Sequence, residues 1–170
     1  GAIYRSINSG ATWAQIYPNG GKAKQWYDIV MSDDGSKVMI GVYCGNLYLS
    51  IDSCVTWNTV SPPGVIVDSP NAWASWKLSM NSDGSVIVVG AGSYVPSIHG
   101  RLYVSTDLCV SWNEIVPEFP IVLDAFRLVS NGVKIILSES NSSTYSIVPV
   151  PAISIESYIN LEPIPITNNG

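Results

Sequence analysis

The chain has 170 residues, of which 46% are hydrophobic and 12% are charged, and its formal net charge at pH 7 is −5. This length predicts one domain with ample apolar material for a core. The 8 basic residues give no footprint for a nucleic-acid partner, and because no long apolar run exists we expect no membrane span. Serine and asparagine supply the polar surface, a composition typical of extracellular and virion-surface proteins, and we expect one of those locations.

The first element is a short apolar run at residues 2–5, which predicts a strand, followed by the octapeptide SINSGATW at residues 6–13. The octapeptide recurs as SIDSCVTW (50–57) and STDLCVSW (105–112), each after a run that contains a tyrosine. We call these segments boxes 1, 2 and 3. The Asp or Asn caps a tight turn, and the Trp is expected to pack on the sheet. We assign a structural role to Ser6, Asn8, Gly10, Thr12, Trp13, Ser50, Asp52, Thr56, Trp57, Ser105, Asp107, Ser111 and Trp112.

A second pattern lies between the boxes, at residues 26–41, 76–90 and, more weakly, 126–138. Each copy has an aromatic-led strand, an Asp-Gly or Asn-Gly turn and a β-branched strand, which together predict a hairpin. With the tyrosine strand and the Trp strand of a box, each unit has four strands in about 40–50 residues, the period of a propeller blade. Cys54 and Cys109 stand where box 1 has glycine, which predicts a different turn type there, and we expect all cysteines to be free thiols.

The order of these patterns predicts an all-β, β-propeller-like array of about three four-stranded blades over residues 1–150, followed by an extended Pro-rich arm over residues 151–170. The chain begins inside a unit, continues with two complete units and ends with half a unit. Three blades do not close a propeller, so two arrangements satisfy the free strands. The chain's own halves, near residues 3–6 and 135–138, pair with each other, or each half pairs with a neighbour. We favour the second, self-association or membership of a larger assembly.

The boxes resemble the Asp-box, or bacterial neuraminidase repeat, of sialidase-like β-propellers. This resemblance implies that the boxes lie away from any catalytic face. It also implies what a sialidase site would need, which includes three arginines that hold the substrate carboxylate. Arg5 and Arg101 lie beside the boxes, and Arg127 takes the place that Tyr27 and Lys77 hold in the other units. We therefore expect no catalytic residues.

A glycosidase that uses two carboxylates is the other catalytic alternative. The candidate carboxylates are Asp28, Asp68, Glu118 and Asp124, and the chemistry needs two of them about 5–10 Å apart, which a sequence does not give. The chain has one histidine, His99, and no cluster with metal-ligand spacing. We expect neither a metal nor a cofactor.

Two insertions, at residues 61–70 and 92–99, lengthen loops, and loops of repeat proteins often carry binding. Trp73 and Tyr94 lie at or beside these insertions and outside the repeat pattern, so with His99 and Arg127 they are the candidate binding residues. The sequence predicts a non-catalytic structural or recognition module of a virion, tail fibre or cell surface that binds a protein partner or a glycan. The alternative is a fragment of a sialidase-like or other glycoside hydrolase.

Overall fold

The computed structural model describes residues 1–22, 24–65, 67, 75–92, 100–115, 127–130, 135–138, 144–147 and 162–163. In these ranges the chain is built from short strands, and no helix there is long and apolar enough to cross a membrane. The strands are β1 Ile3–Arg5, β2 Ala14–Ile16, β3 Trp26–Met31, β4 Val38–Val42, β5 Leu47–Ser50, β6 Asn58–Val60, β7 Ser75–Met80, β8 Ile87–Gly92, β9 Arg101–Ser105, β10 Asn113–Ile115, β11 Arg127–Ser130, β12 Ile135–Ser138, β13 Thr144–Ile147 and β14 Glu162–Pro163.

Every sheet is an antiparallel meander in which each strand pairs with the next one along the chain. Strands β1 and β2 form a two-stranded half-sheet, while β3 to β6, β7 to β10 and β11 to β14 form four-stranded sheets that we call blades one, two and three. The turns follow the predicted signals, since Gly35 and Gly84 of the two Asp-Gly turns have φ of 70° and 67°, values that favour glycine. The predicted all-β array of four-stranded, propeller-like blades is confirmed.

Successive blades pack face to face through their first strands. Strand β7 contacts β3 and β4, and β11 contacts β7. The register places Val30, Met39 and Leu49 on one face of blade one, and all three belong to the same apolar cluster as Leu78 of blade two. The buried members of this cluster are Met39, Leu47, Leu49, Trp76, Leu78, Ile87, Val89, Ala91, Tyr103 and Cys109. The interface between blades one and two is thus the main core of the described chain.

The structure differs from the predicted arrangement at the C-terminal end of the repeat array. Strand β14, which lies in the Pro-rich tail, pairs with β13 at Pro163 and Glu162 and gives blade three a fourth strand. The expectation that the chain closes with half a unit is therefore wrong, because the outer strand comes from residues far along the tail. Among the described strands β1 pairs with β2, and β12 with β11 and β13, so residues 3–6 and 135–138 do not form a composite blade.

Candidate functional site

Box 2 shows how the octapeptide fixes its own turn. Asp52 Oδ1 accepts hydrogen bonds from the backbone N–H groups of Val55 (3.1 Å) and Thr56 (2.8 Å), and Asp52 Oδ2 accepts one from the Thr56 hydroxyl at 2.5 Å. The Ser50 hydroxyl donates to Asp52 Oδ1 at 2.9 Å and accepts from the N–H of Cys54 at 2.9 Å. Three backbone N–H groups of the turn are thereby satisfied by two side chains of the box itself, while the Ser53 N–H donates to the Ser36 carbonyl oxygen.

Boxes 1 and 3 repeat this network. In box 3, Asp107 accepts from the N–H of Ser111 at 2.9 Å and from its hydroxyl at 2.5 Å. In box 1, Asn8 Oδ1 accepts from the N–H of Thr12 at 2.9 Å, and Asn8 Nδ2 donates to the Thr12 hydroxyl at 2.9 Å. The amide thus reverses the direction of one hydrogen bond and keeps those with the Ser6 hydroxyl and the Thr12 N–H, so an uncharged residue makes the same hairpin.

The backbone of the turn is the same in all three boxes. Cys54 and Cys109 both have φ of 67°, in the left-handed region that Gly10 occupies with φ of 85°. The prediction of a different turn type at the two cysteines is wrong. The hydroxyl of the first serine in boxes 2 and 3 accepts a hydrogen bond from the cysteine N–H and so stabilises the left-handed residue. All three cysteines are free, as expected.

Hydrogen bonding keeps the box carboxylates ionised. The Thr56 hydroxyl and N–H lower the pKa of Asp52 to about 2, and the Ser111 hydroxyl and N–H lower the pKa of Asp107. In the Asp-Gly turn of blade one, the Ser32 hydroxyl and the Ser36 groups lower the pKa of Asp34 to about 2. Asp34, Asp52 and Asp107 therefore each stabilise the turn in which they lie.

The box tryptophans do not share one environment. Trp112 is partly buried against the core between blades one and two, whereas Trp13 is 64% exposed and donates its Nε1–H to the Gly10 carbonyl oxygen at 3.1 Å. The expectation that Trp13 packs on its sheet is wrong, because the half-sheet has only two strands and offers no face for the ring.

Burial also raises the pKa of the Cys109 thiol to about 12.

The catalytic candidates do not come together in the described part of the chain. Asp28 Oδ2 accepts a hydrogen bond from the N–H of Leu78 at 2.8 Å and so joins blades one and two. Arg5 donates to the carbonyl oxygen of Ser53, and Arg101 lies 3.5 Å from Glu114. Asp68, Glu118 and Asp124 lie outside the described residues. No group of three or more His, Cys, Asp and Glu that could hold a metal ion occurs within the described ranges.

The predicted binding residues are not tested by the structure. Trp73, Tyr94 and His99 lie outside the described residues, and of Arg127 only the backbone, in β11, is described. Their assignment to binding stays a prediction.

The structure instead shows an apolar surface that the sequence analysis missed. Ile29 and Met31 of β3 are 54% and 59% exposed. Beside them a cleft of about 390 Å³ separates β1 from blade one. It is lined by residues 2–4 of the half-sheet, 26–29 of β3 and Ile40 of β4. The repeat contained a sequence signal for this surface. The register makes Ile29 the counterpart of Leu78, and Leu78 is only 5% exposed.

Comparison with known proteins supports the fold alone. No family model and no curated protein sequence matches the chain. Among solved structures it is similar to "YCF48 bound to D1 peptide", a β-propeller protein, with a TM-score of 0.50 and 13% sequence identity. The match covers 72% of this chain and 36% of the YCF48 chain, so the two share a stretch of propeller-like blades that is about a third of the length of YCF48.

Proposed function

We propose that the chain is a non-catalytic recognition module of the Asp-box propeller class and that it binds a polypeptide partner. The observation that carries this proposal is the cleft between β1 and blade one, with the exposed side chains of Ile29 and Met31 at its side. Exposed apolar side chains that cluster on one surface mark interaction sites more often than they mark catalysis.

The chemistry of the described acidic groups supports the non-catalytic part of the proposal. A general acid needs a pKa near the working pH, and hydrogen bonds lower the pKa of Asp34 and Asp52 to about 2 and also lower that of Asp83. Asp28 is bonded to the backbone of the next blade. These groups act in structure, and the glycoside hydrolase alternative gains no support from them.

The choice of a polypeptide over a glycan has two supports. Among the described strands β1 pairs with β2 alone, the cleft lies beside residues 2–4, and a strand edge offers backbone groups to an extended chain. YCF48 is recorded in complex with a D1 peptide; that ligand belongs to YCF48, and it makes peptides the first class to test here. From the composition we also propose a virion surface or an extracellular surface as the location.

The test compares three ligand classes on one protein. The purified chain is screened against a displayed peptide library, a glycan array and a panel of fluorogenic glycosides. We expect retained peptides, with binding lost in Ile29→Asp and kept in Ile7→Asp, a matched control at an isoleucine that is 84% exposed at the tip of box 1. Glycan retention or glycoside hydrolysis that Ile29→Asp leaves unchanged would contradict the proposal and direct attention to Trp73 and Tyr94.

A further inference from the structure

We propose that Asn19 is a site of spontaneous chemical modification, in which its side-chain amide is lost to attack by the backbone nitrogen of Gly20 and the product opens the loop between β2 and β3. The inference concerns the chemistry of one exposed turn and does not depend on the proposed function. It follows from a comparison of Asn19 with the asparagines of two other turns, whose side-chain amides have different partners.

The residue that follows Asn19 favours this reaction. The chain has three Asn-Gly pairs, and the structure describes the one at residues 19–20. Gly20 is exposed, and a Cβ added to it would meet no atom within 4 Å, so its backbone nitrogen is not crowded. The Gly20 N–H donates to the Tyr17 carbonyl oxygen at 3.3 Å, which is longer than most hydrogen bonds of this type. The backbone of Gly20 is therefore free to move toward the side chain of Asn19.

The reaction needs no reagent other than water. The Gly20 nitrogen attacks Cγ of Asn19 as an intramolecular nucleophile, the new C–N bond closes a succinimide ring, and the Cγ–Nδ2 bond breaks. The Gly20 N–H proton leaves with Nδ2 as ammonia. Water then adds to either ring carbonyl and opens the ring to aspartate or isoaspartate, and no group is oxidised or reduced. Either product adds one negative charge to a chain whose formal net charge is −5.

The product cannot keep the hydrogen bond that Asn19 makes. Asn19 Nδ2 donates to the Lys22 carbonyl oxygen at 2.7 Å and so closes the loop of residues 19–22. A carbonyl oxygen accepts hydrogen bonds and donates none, and the same is true of an ionised carboxylate. Aspartate at position 19 would therefore place two acceptors against each other, and the loop has to open so that water can donate to both.

Box 1 is the contrasting case, because its asparagine has a partner that can reverse the bond. Asn8 Nδ2 donates to the Thr12 hydroxyl at 2.9 Å, and in box 2 the equivalent hydroxyl of Thr56 donates to Asp52 instead. A hydroxyl both donates and accepts. The exchange of asparagine for aspartate therefore preserves the hairpin of a box, whereas at position 19 it removes the bond that closes the loop.

The other two asparagines are also held more firmly. Asn8 Oδ1 accepts from the N–H of Thr12 at 2.9 Å, and Asn81 Oδ1 accepts from the N–H of Val86 at 2.8 Å. Asn81 Nδ2 donates to the Ser85 hydroxyl at 3.0 Å, so both ends of each amide are bonded within the turn. Each of these residues is followed by serine, whose side chain crowds the attacking nitrogen. Their amides should react more slowly than that of Asn19.

The first experiment follows the reaction in the intact chain. The purified protein is kept in mildly alkaline buffer, and peptide mass spectrometry detects the conversion of an amide to a carboxyl group at intervals. We expect progressive conversion at position 19 to aspartate and isoaspartate, with Asn8 and Asn81 unconverted over the same interval. Fragment spectra separate Asn8 from Asn19 where both lie in one peptide. The control Asn19→Gln keeps an amide donor but has to close a larger ring, and it should remain unconverted at position 19.

The second experiment tests the effect on the loop with two matched variants. Asn19→Asp should speed amide hydrogen exchange in residues 17–22 and lower the melting temperature, whereas Asn8→Asp should leave exchange in box 1 unchanged. Conversion at Asn19 that is no faster than at Asn8 would overturn the assignment of the site. Exchange in residues 17–22 that is the same in Asn19→Asp as in the parent would overturn the claim that the product opens the loop.

Discussion

The substitution Gly41→Ala tests the contact on which the blade packing depends. Gly41 lies in β4 on the face toward blade two, and a Cβ built there would lie 2.9 Å from Cβ, 3.0 Å from Cδ1 and 3.1 Å from Cγ of Trp76. Trp76 is fully buried, and its indole Nε1–H is bonded to the Gly45 carbonyl oxygen at 2.8 Å. The ring cannot move away without losing that bond, so the blades themselves must separate slightly.

The magnitude follows from two opposing effects. Overpacking of a dense core costs about 1–3 kcal/mol, while removing a glycine from a strand interior returns about 0.5–1 kcal/mol of backbone entropy. We therefore expect Gly41→Ala to lower the free energy of unfolding by about 0.5–2 kcal/mol. A chain of this size loses roughly 2–4 °C in melting temperature for each kcal/mol.

The assay is denaturant unfolding of four proteins: the parent, Gly41→Ala, Trp76→Ala and the double variant. Trp76→Ala alone should cost about 3–5 kcal/mol. In that background Gly41→Ala should stabilise by about 0.5–1 kcal/mol, because the contact no longer exists and only the gain in backbone entropy remains. Gly1→Ala, where an added Cβ meets no atom within 4 Å, controls for the change of residue type. Equal costs of Gly41→Ala in both backgrounds would refute the packing of blade one on blade two.

Three further predictions concern the boxes. Trp112→Ala should destabilise by about 3 kcal/mol and Trp13→Ala, at an exposed ring, by far less; similar losses of melting temperature would contradict this difference. Burial and a pKa of about 12 should leave the Cys109 thiol unreactive toward iodoacetamide at pH 8 until the chain unfolds, and mass spectrometry would detect early labelling if the reasoning fails. The pKa of Asp52 is lowered from 3.8 to about 2, so its stabilising contribution is complete above pH 3.8 and is lost as the pH falls through about 2. Asp52→Asn, which copies Asn8 of box 1, should unfold in urea with a weaker dependence on pH over that interval, and identical dependence would refute the assignment.

The architecture could be predicted because its signals are local. The box places Ser50, Asp52 and Thr56 within seven residues, and the hydrogen bonds that these three side chains make to the turn lie inside that segment. The Asp-Gly turns likewise carry their own glycine with positive φ. A repeated local signal fixes the four-stranded unit, and the spacing of the copies then fixes the order of the sheets.

The features that escaped prediction depend on distant partners. Strand β14 lies far along the tail and pairs with β13. No local sequence pattern marks Glu162 and Pro163 as residues that pair with β13. The left-handed backbone conformation of Cys54 and Cys109 was not predicted, because residues with a side chain disfavour it. The serine hydroxyl that accepts a hydrogen bond from each cysteine N–H outweighs this preference. The exposure of Ile29 escaped because its own sequence context is that of a core residue.

The last point has a consequence for how such repeats function. Ile29 and Leu78 occupy equivalent positions in equivalent strands, and one is 54% exposed while the other is 5% exposed. The difference is set by the neighbouring sheet, since Leu78 faces β3 and β4 whereas Ile29 faces a half-sheet. A repeat array therefore presents its core residues to solvent at any interface that lacks a full blade. In this chain the exposed surface at Ile29 is produced by the same residue pattern that forms the core at Leu78.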